Sequence, residues 1–114
     1  MHNINNIEEL DNFIIDNNTN IILLYFGASW CGPCNKLKEK LCDEECLKDM
    51  PLLKVGYIDT DENEELSTMY KIKSLPTQIF IKLNQDKVKI VSKIEGYDYT
   101  KLLLEYNNCC SNKN

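Results

Sequence analysis

Two periodicities of apolar residues alternate along the chain, and each predicts a different kind of element. Asn6 and Glu9 form a helix-capping pattern at the start of the first segment. Leu10 and Ile14 then recur at helical spacing, which predicts a first helix. The unbroken apolar run at residues 21–26 is typical of a strand that is buried on both faces. The chain therefore opens with a helix followed by a central strand.

A second helix and a second strand follow the central strand. The helix is predicted to begin within residues 27–33 and to carry Leu37 and Leu41 on its apolar stripe. After that stripe, the apolar residues follow a different face of the helix, and Asp43 is a good helix cap. We therefore expect a bend or break near Asp43. The apolar residues within 52–58 then predict a second buried strand.

The last third of the chain predicts a helix, a hairpin and a final helix. Asp61 is a good cap for the first of these helices, with Met69 among its inward positions. Strand-like segments at residues 77–83 and 88–94 flank a polar turn, which predicts an antiparallel hairpin. Apolar residues at helical spacing after the hairpin predict the final helix.

These elements predict one domain of the α/β class. A strand, a helix and a second buried strand imply a parallel right-handed crossover, and the hairpin adds antiparallel strands. We therefore expect a mixed central sheet of four to five strands with helices on both faces. The length of 114 residues fits a single domain. We assign residues 1–108 to this domain and residues 109–114 to a short polar tail that contains two cysteines.

Composition and charge exclude several classes of protein. Hydrophobic residues at 43% and charged residues at 27% are typical of a folded chain. No run approaches the roughly 18 apolar residues that cross a bilayer, and Glu8 and Glu9 stand near the start. We therefore expect no membrane span, no signal peptide and a cytoplasmic location. A net charge of -5 without a basic cluster argues against nucleic acid as a partner.

Six cysteines are more than a domain of this size needs, because it can build a core without disulfide staples. In a reducing compartment such a count indicates redox chemistry or metal binding. A zinc site needs four ligands, and the single histidine, His2, lies in a terminus that we expect to be loose. We therefore favour redox chemistry and expect no metal. The cysteines form three pairs: Cys31 and Cys34, Cys42 and Cys46, and Cys109 and Cys110.

The first pair lies in the string WCGPC, where a predicted strand gives way to a helix. At a helix N-terminus, free backbone N–H groups and the helix dipole lower the pKa of a thiol, so Cys31 is the candidate nucleophile. Cys34 lies one turn further on and is the candidate resolving thiol. Gly32 allows a tight backbone, and Pro33 stiffens the start of the helix without losing a hydrogen bond. Trp30 is expected at the rim.

A second motif makes the string more specific. Residues 75–77, Leu-Pro-Thr, stand directly before a predicted strand. With WCGPC at residues 30–34, they make the chain resemble the thioredoxin family over roughly residues 4–107. The resemblance implies that Pro76 is cis and packs against the cysteine loop, and that the backbone of Leu75 pairs with an extended substrate. It also places Gly96 beside the active site.

The resemblance implies an activity and partners. The chain is expected to reduce protein disulfides through a mixed disulfide with Cys31 that Cys34 resolves. No bound cofactor is expected, and electrons would come from a thioredoxin reductase with NADPH or from a glutathione system. The partners would then be disulfide-containing client proteins and one of these reductants. The alternative is a peptide-binding or chaperone-like module with little redox turnover, which the intact WCGPC string disfavours.

Two positions depart from the pattern of the family. Thioredoxins usually carry a buried aspartate on the central strand, six positions before the first cysteine, and Tyr25 stands there in this chain. Glu39 stands where the family has a proline that kinks the long helix. A tyrosine is a poor base near neutrality, so resolution by Cys34 is expected to be slower and to accelerate with pH.

The other cysteines are expected to lie outside the site. We expect Cys42 and Cys46 to behave as small buried hydrophobes. Cys109 and Cys110 are expected to be more exposed in the tail. Oxidation, glutathionylation, an intermolecular bridge or, less favoured, lipidation are alternatives for this pair.

Overall fold

A computed structural model describes residues 1–111. The strands are β1 (His2–Asn3), β2 (Ile21–Gly27), β3 (Leu53–Asp59), β4 (Thr77–Asn84) and β5 (Lys87–Glu95). They form a five-stranded mixed sheet in the order β1-β3-β2-β4-β5. The strands β1, β3 and β2 are mutually parallel, whereas β4 and β5 run antiparallel to their neighbours. The prediction of a mixed sheet with a parallel crossover and a hairpin is confirmed.

Helices cover both faces of this sheet. The described helices are α1 (Ile7–Asp16), α2 (Gly32–Cys42), α3 (Glu44–Leu47), α4 (Glu64–Met69) and α5 (Tyr99–Ser111). One buried cluster, here called the α2 cluster, lies on one face, and a second cluster fills the opposite face beneath α1 and α4. The α2 cluster includes Tyr25, Cys31, Cys34, Leu37, Phe80, Ile94, Leu102 and Tyr106.

The sheet brings four chain segments to one edge. β2 and β3 are parallel, so the loops after Gly27 and Asp59 leave the sheet on the same side. β4 is antiparallel to β2, with Thr77 opposite Phe26, so it begins where β2 ends. β5 ends opposite the start of β4, with Glu95 opposite Thr77. The cysteine motif, residues 75–77 and Gly96 therefore lie at the same edge of the sheet.

Local capping explains the start of α1 and the break after α2. The side chain of Asn6 accepts a hydrogen bond from the backbone N–H of Glu9 at 2.8 Å, which confirms the predicted cap. Asp43 has an extended backbone, ends α2 and caps α3 through a hydrogen bond from the Glu45 N–H. The expected break near Asp43 is confirmed.

Three details of the predicted elements are wrong. β1, which pairs with β3, lies where we expected a loose terminus, and His2 stacks on Phe13 with ring centroids 5.1 Å apart. α4 begins after Asn63 rather than Asp61, and Met69, its last residue, is exposed instead of inward. Cys42 is exposed rather than buried, because it lies off the stripe of α2 that carries the buried Leu37 and Leu41.

The final helix extends further than expected. α5 continues to Ser111, and Cys109 and Cys110 are half-buried against the α2 cluster. The Leu52 N–H donates to Tyr106 Oη at 2.9 Å, which ties the last turns of α5 to the body of the domain. Burial, assisted by the nearby Glu105 carboxylate, raises the pKa of Cys109. These contacts correct the expectation of an exposed tail at the two cysteines, and residues 112–114 of that tail lie outside the described residues.

Among residues 1–111, none of the helices combines the length and the apolar character that a membrane span requires. α5, the longest of them, has 13 residues.

Candidate active site

The two cysteines of the motif form a disulfide at the N-terminus of α2. Cys31 is the N-cap residue, and Gly32 and Pro33 are the first two residues of the helix, where a missing N–H costs no hydrogen bond. The Cα atoms of Cys31 and Cys34 lie 5.2 Å apart, and their Sγ atoms are bonded. The backbone N–H of Cys34 also donates to Cys31 Sγ at 3.2 Å. The start of the helix thus directs a donor at the first sulfur.

The two cysteines differ in depth. Cys31 is 6% exposed, whereas Cys34 is 1% exposed and lies with Leu37 on the buried face of α2. Gly32 and Pro33, between the cysteines, are exposed. The accessible surface that the pair retains therefore lies mainly on Cys31.

Trp30 forms an exposed rim next to the disulfide. Its side chain is 70% exposed, and its indole Nε1–H donates to Asp61 Oδ2 at 2.8 Å. Asp61 is itself held at the end of β3, because its backbone N–H donates to Asp59 Oδ1 at 2.9 Å. The indole is therefore tethered to a second loop and presents a large apolar surface at the rim.

The segment before β4 forms another part of this edge. The Leu75–Pro76 peptide bond is cis, as the resemblance implies. The Gly96 N–H donates to the Pro76 carbonyl oxygen at 2.8 Å, which joins the end of β5 to the proline loop. Gly96 has a φ of +92°, a conformation that favours glycine. Leu75 is half-buried and packs against both core clusters.

Tyr25 lies beneath the motif on the central strand. It is 1% exposed, and its Oη–H donates to the Cys34 carbonyl oxygen at 2.5 Å. Burial, with a smaller contribution from Tyr57, raises its pKa above the ordinary value of 10. The phenol therefore stays protonated at neutral pH and acts as a donor to the backbone of Cys34.

The described part of the chain contains no candidate metal centre. Among residues 1–111, no group of three or more His, Cys, Asp or Glu side chains is placed to hold a metal ion. The Cys31–Cys34 pair can exchange electrons through its sulfur atoms, because the two sulfurs are bonded and a backbone N–H is directed at Cys31 Sγ.

Comparison with known proteins places this site in a family. The family model described as Thioredoxin matches residues 3–105. The chain belongs to the thioredoxin family.

Curated and solved thioredoxins resemble this chain along most of its length. The thioredoxin of Chlamydia pneumoniae is 33% identical over 96 residues, which cover 84% of this chain and 89% of that one. The structure of Fasciola hepatica thioredoxin has a TM-score of 0.82 at 31% identity, covering 95% of this chain and 98% of that chain. Plasmodium falciparum thioredoxin gives a TM-score of 0.76 at 26% identity, covering 93% and 84% respectively.

Family membership and the Cys31–Cys34 disulfide together establish the class of activity. The protein is a thiol-disulfide oxidoreductase that acts on protein disulfides. Thioredoxins need no bound cofactor, and in general they act on disulfide-containing clients and are served by reductases.

Two residues of the site were missed by sequence reasoning. The sequence predicts Asp61 as a helix cap, whereas in the structure its carboxylate accepts the indole N–H of Trp30. Gln78 is fully buried in β4, with its Nε2 donating to the Gly96 carbonyl oxygen at 3.1 Å. The available signal was an amide side chain directly before the apolar run Ile79–Ile81 of the predicted strand.

Proposed function

We propose that Cys31 is the attacking thiol of this oxidoreductase and that Cys34 is the resolving thiol. The observation that carries this assignment is the position of Cys31 at the N-cap of α2, where its sulfur accepts the Cys34 N–H. A helix N-terminus stabilises a thiolate, and the thiolate is the nucleophile in disulfide exchange. Cys34 is more deeply buried than Cys31, which suits a thiol that reacts only with the mixed disulfide formed at Cys31.

The two exchange steps balance in electrons and protons. The Cys31 thiolate attacks one sulfur of a client disulfide, and the other client sulfur leaves as a thiolate that takes a proton from water. The Cys34 thiol then loses its proton to solvent or hydroxide and attacks Cys31 Sγ. The bond between Cys31 and the client breaks, and the second client thiolate is released. The client gains two electrons, and the Cys31–Cys34 pair is oxidised.

We propose that the client chain binds across the rim as an extended segment. Trp30, Gly32 and Pro33 would contact it on one side of the disulfide, and the backbone of Leu75 would pair with it on the other. Such strand addition needs an exposed backbone segment near the reacting sulfur. The hydrogen bond between Gly96 N–H and the Pro76 carbonyl oxygen supports this role, because it fixes the proline loop at the same edge.

We also propose a reducing compartment, the cytoplasm, and a thioredoxin reductase with NADPH or a glutathione system as the electron source. Cys42, Cys46, Cys109 and Cys110 are free thiols, and Cys42 is exposed, which suits a reducing environment.

Reduction of insulin disulfides tests this function and its electron source. We expect turnover with dithiothreitol, because the small dithiol can reduce the Cys31–Cys34 disulfide directly. We also expect turnover either with thioredoxin reductase and NADPH or with glutathione and its reductase. Cys31→Ser, which keeps the size of the side chain, is the matched control and should be inactive. Absence of turnover with every donor would contradict the proposal and favour the peptide-binding module.

A further inference from the structure

A buried side chain behind the active site has an unused hydrogen-bonding atom. Gln78 in β4 is fully buried, and its Nε2 donates to the Gly96 carbonyl oxygen at 3.1 Å. Its Oε1 is also buried, and no donor reaches it from any of residues 1–111. Buried acceptors without donors are rare because burial removes the hydrogen bonds that water would supply. The amide oxygen of Gln78 therefore needs an explanation.

The register of the sheet places Gln78 in the layer that contains the disulfide. Gln78 is directly opposite Tyr25 across β2 and β4, and opposite Ile94 across β4 and β5. Residues directly opposite one another point to the same face of a sheet. Tyr25 and Ile94 belong to the α2 cluster, as do Cys31 and Cys34. The Gln78 amide therefore shares the buried layer of the redox pair.

The neighbouring polar groups are already used in the oxidised protein. The single phenolic hydrogen of Tyr25 is donated to the Cys34 carbonyl oxygen, so it is not available to Gln78. Cys34 Sγ carries no hydrogen, because it is bonded to Cys31 Sγ. Reduction changes the set of hydrogen-bond donors in this layer, because two electrons and two protons convert the disulfide into two thiols. Cys34 then becomes a buried S–H donor in the layer where an acceptor is free.

We propose that the amide oxygen of Gln78 accepts the hydrogen bond of the Cys34 thiol in the reduced protein, directly or through one water molecule. An amide oxygen accepts a hydrogen bond but does not take up the proton at neutral pH. Gln78 thus stabilises the dithiol form and keeps the resolving thiol protonated until it reacts. This role rests on the proposed function, in which Cys34 resolves the mixed disulfide.

The thiol-disulfide equilibrium of Gln78→Met, measured in dithiothreitol redox buffers, tests this inference. Methionine keeps a similar volume but lacks the acceptor. The reduced form then loses the partner of its Cys34 thiol, and the oxidised form loses an unsatisfied oxygen, so both changes favour the disulfide. We expect the equilibrium constant to shift toward the disulfide by about three- to tenfold, the usual effect of one hydrogen bond.

Ile94→Val is the matched control, because it trims the apolar neighbour of Gln78 on the same face and changes no polar group. Its equilibrium constant should match that of the unaltered protein. An unchanged constant in Gln78→Met, a shift toward the dithiol, or an equal shift in Ile94→Val would overturn the inference.

Gln78→Glu provides a second measurement if the methionine variant does not fold. Glutamate has nearly the same shape, and in the proposed arrangement its carboxylate would accept the Cys34 S–H in the reduced form only. The pKa of this carboxyl should then differ between the two redox forms, so the equilibrium should gain a pH-dependent step that the unaltered protein lacks. An identical pH dependence in both proteins would contradict the inference. The equilibrium constant does not depend on which cysteine attacks a client. Failure of this test is therefore distinguishable from failure of the proposed function, which client trapping tests.

Discussion

Cys34→Ser is expected to convert the protein into a covalent trap for its clients. The serine variant keeps the Cys31 thiolate at the start of α2 but has no thiol to attack the mixed disulfide. Complexes should therefore accumulate and should be released by dithiothreitol. Non-reducing electrophoresis of the variant mixed with an oxidised client measures this directly. Turnover of insulin should fall to the background level in the same variant.

Cys31→Ser is the matched control for this trap. It removes the accessible sulfur and leaves the deeply buried Cys34, so it should capture almost nothing. Replacing the exposed Cys42 by serine controls for trapping by a thiol outside the site and should change neither trapping nor turnover. Trapping by Cys31→Ser alone would reverse the proposed roles of the two cysteines.

Tyr25→Asp is expected to accelerate product release near pH 7 while destabilising the domain. The phenol of Tyr25 donates to the Cys34 carbonyl oxygen, and burial raises its pKa, so it cannot accept the Cys34 proton at neutral pH. A carboxylate at this position would accept that proton and flatten the rise of the release rate with pH. The lost ring packing should lower the free energy of unfolding by about 3–5 kcal/mol. Stopped-flow release and denaturant unfolding measure the two effects.

Tyr25→Phe separates the ring from the hydroxyl. It keeps the packing against Tyr57, whose ring centroid lies 5.0 Å away, and removes only the hydrogen bond to Cys34. We expect a loss of about 1 kcal/mol in the free energy of unfolding and little change in release rate. A large loss of rate would show that the hydroxyl takes part in resolution, and the argument from a missing base would have to be abandoned.

The central part of the fold was predictable because its signals are local. The run at 21–26 is apolar at every position, and the observed strand β2 (Ile21–Gly27) is buried throughout. The break at Asp43 was predictable because the apolar residues move to a different face of the helix at this point, and Asp43 is itself a capping residue. The cysteine motif was equally local, since a helix that begins at Gly32 fixes both sulfurs within one turn.

The parts that were missed depend on contacts distant in sequence. β1 has two residues, too few for a periodic pattern, and forms by pairing with β3. The last turns of α5 are polar except for two cysteines, and Tyr106 and Cys109 are among the side chains that pack them against the body. Gln78 could be recognised as unusual in a strand, but its position opposite Tyr25 follows only from the register of β2 with β4.

The pH dependence of Cys31 alkylation in the reduced protein tests the central claim most directly. If the N-terminus of α2 stabilises the Cys31 thiolate, iodoacetamide should modify this residue with a half-maximal rate well below pH 8.5, roughly the pKa of a free cysteine. Peptide mass spectrometry separates this modification from that of the exposed Cys42, which serves as the internal reference. The account predicts that Cys31 reacts first and at the lower pH. An alkylation curve for Cys31 that coincides with that of a free thiol, near pH 8.5, would contradict it.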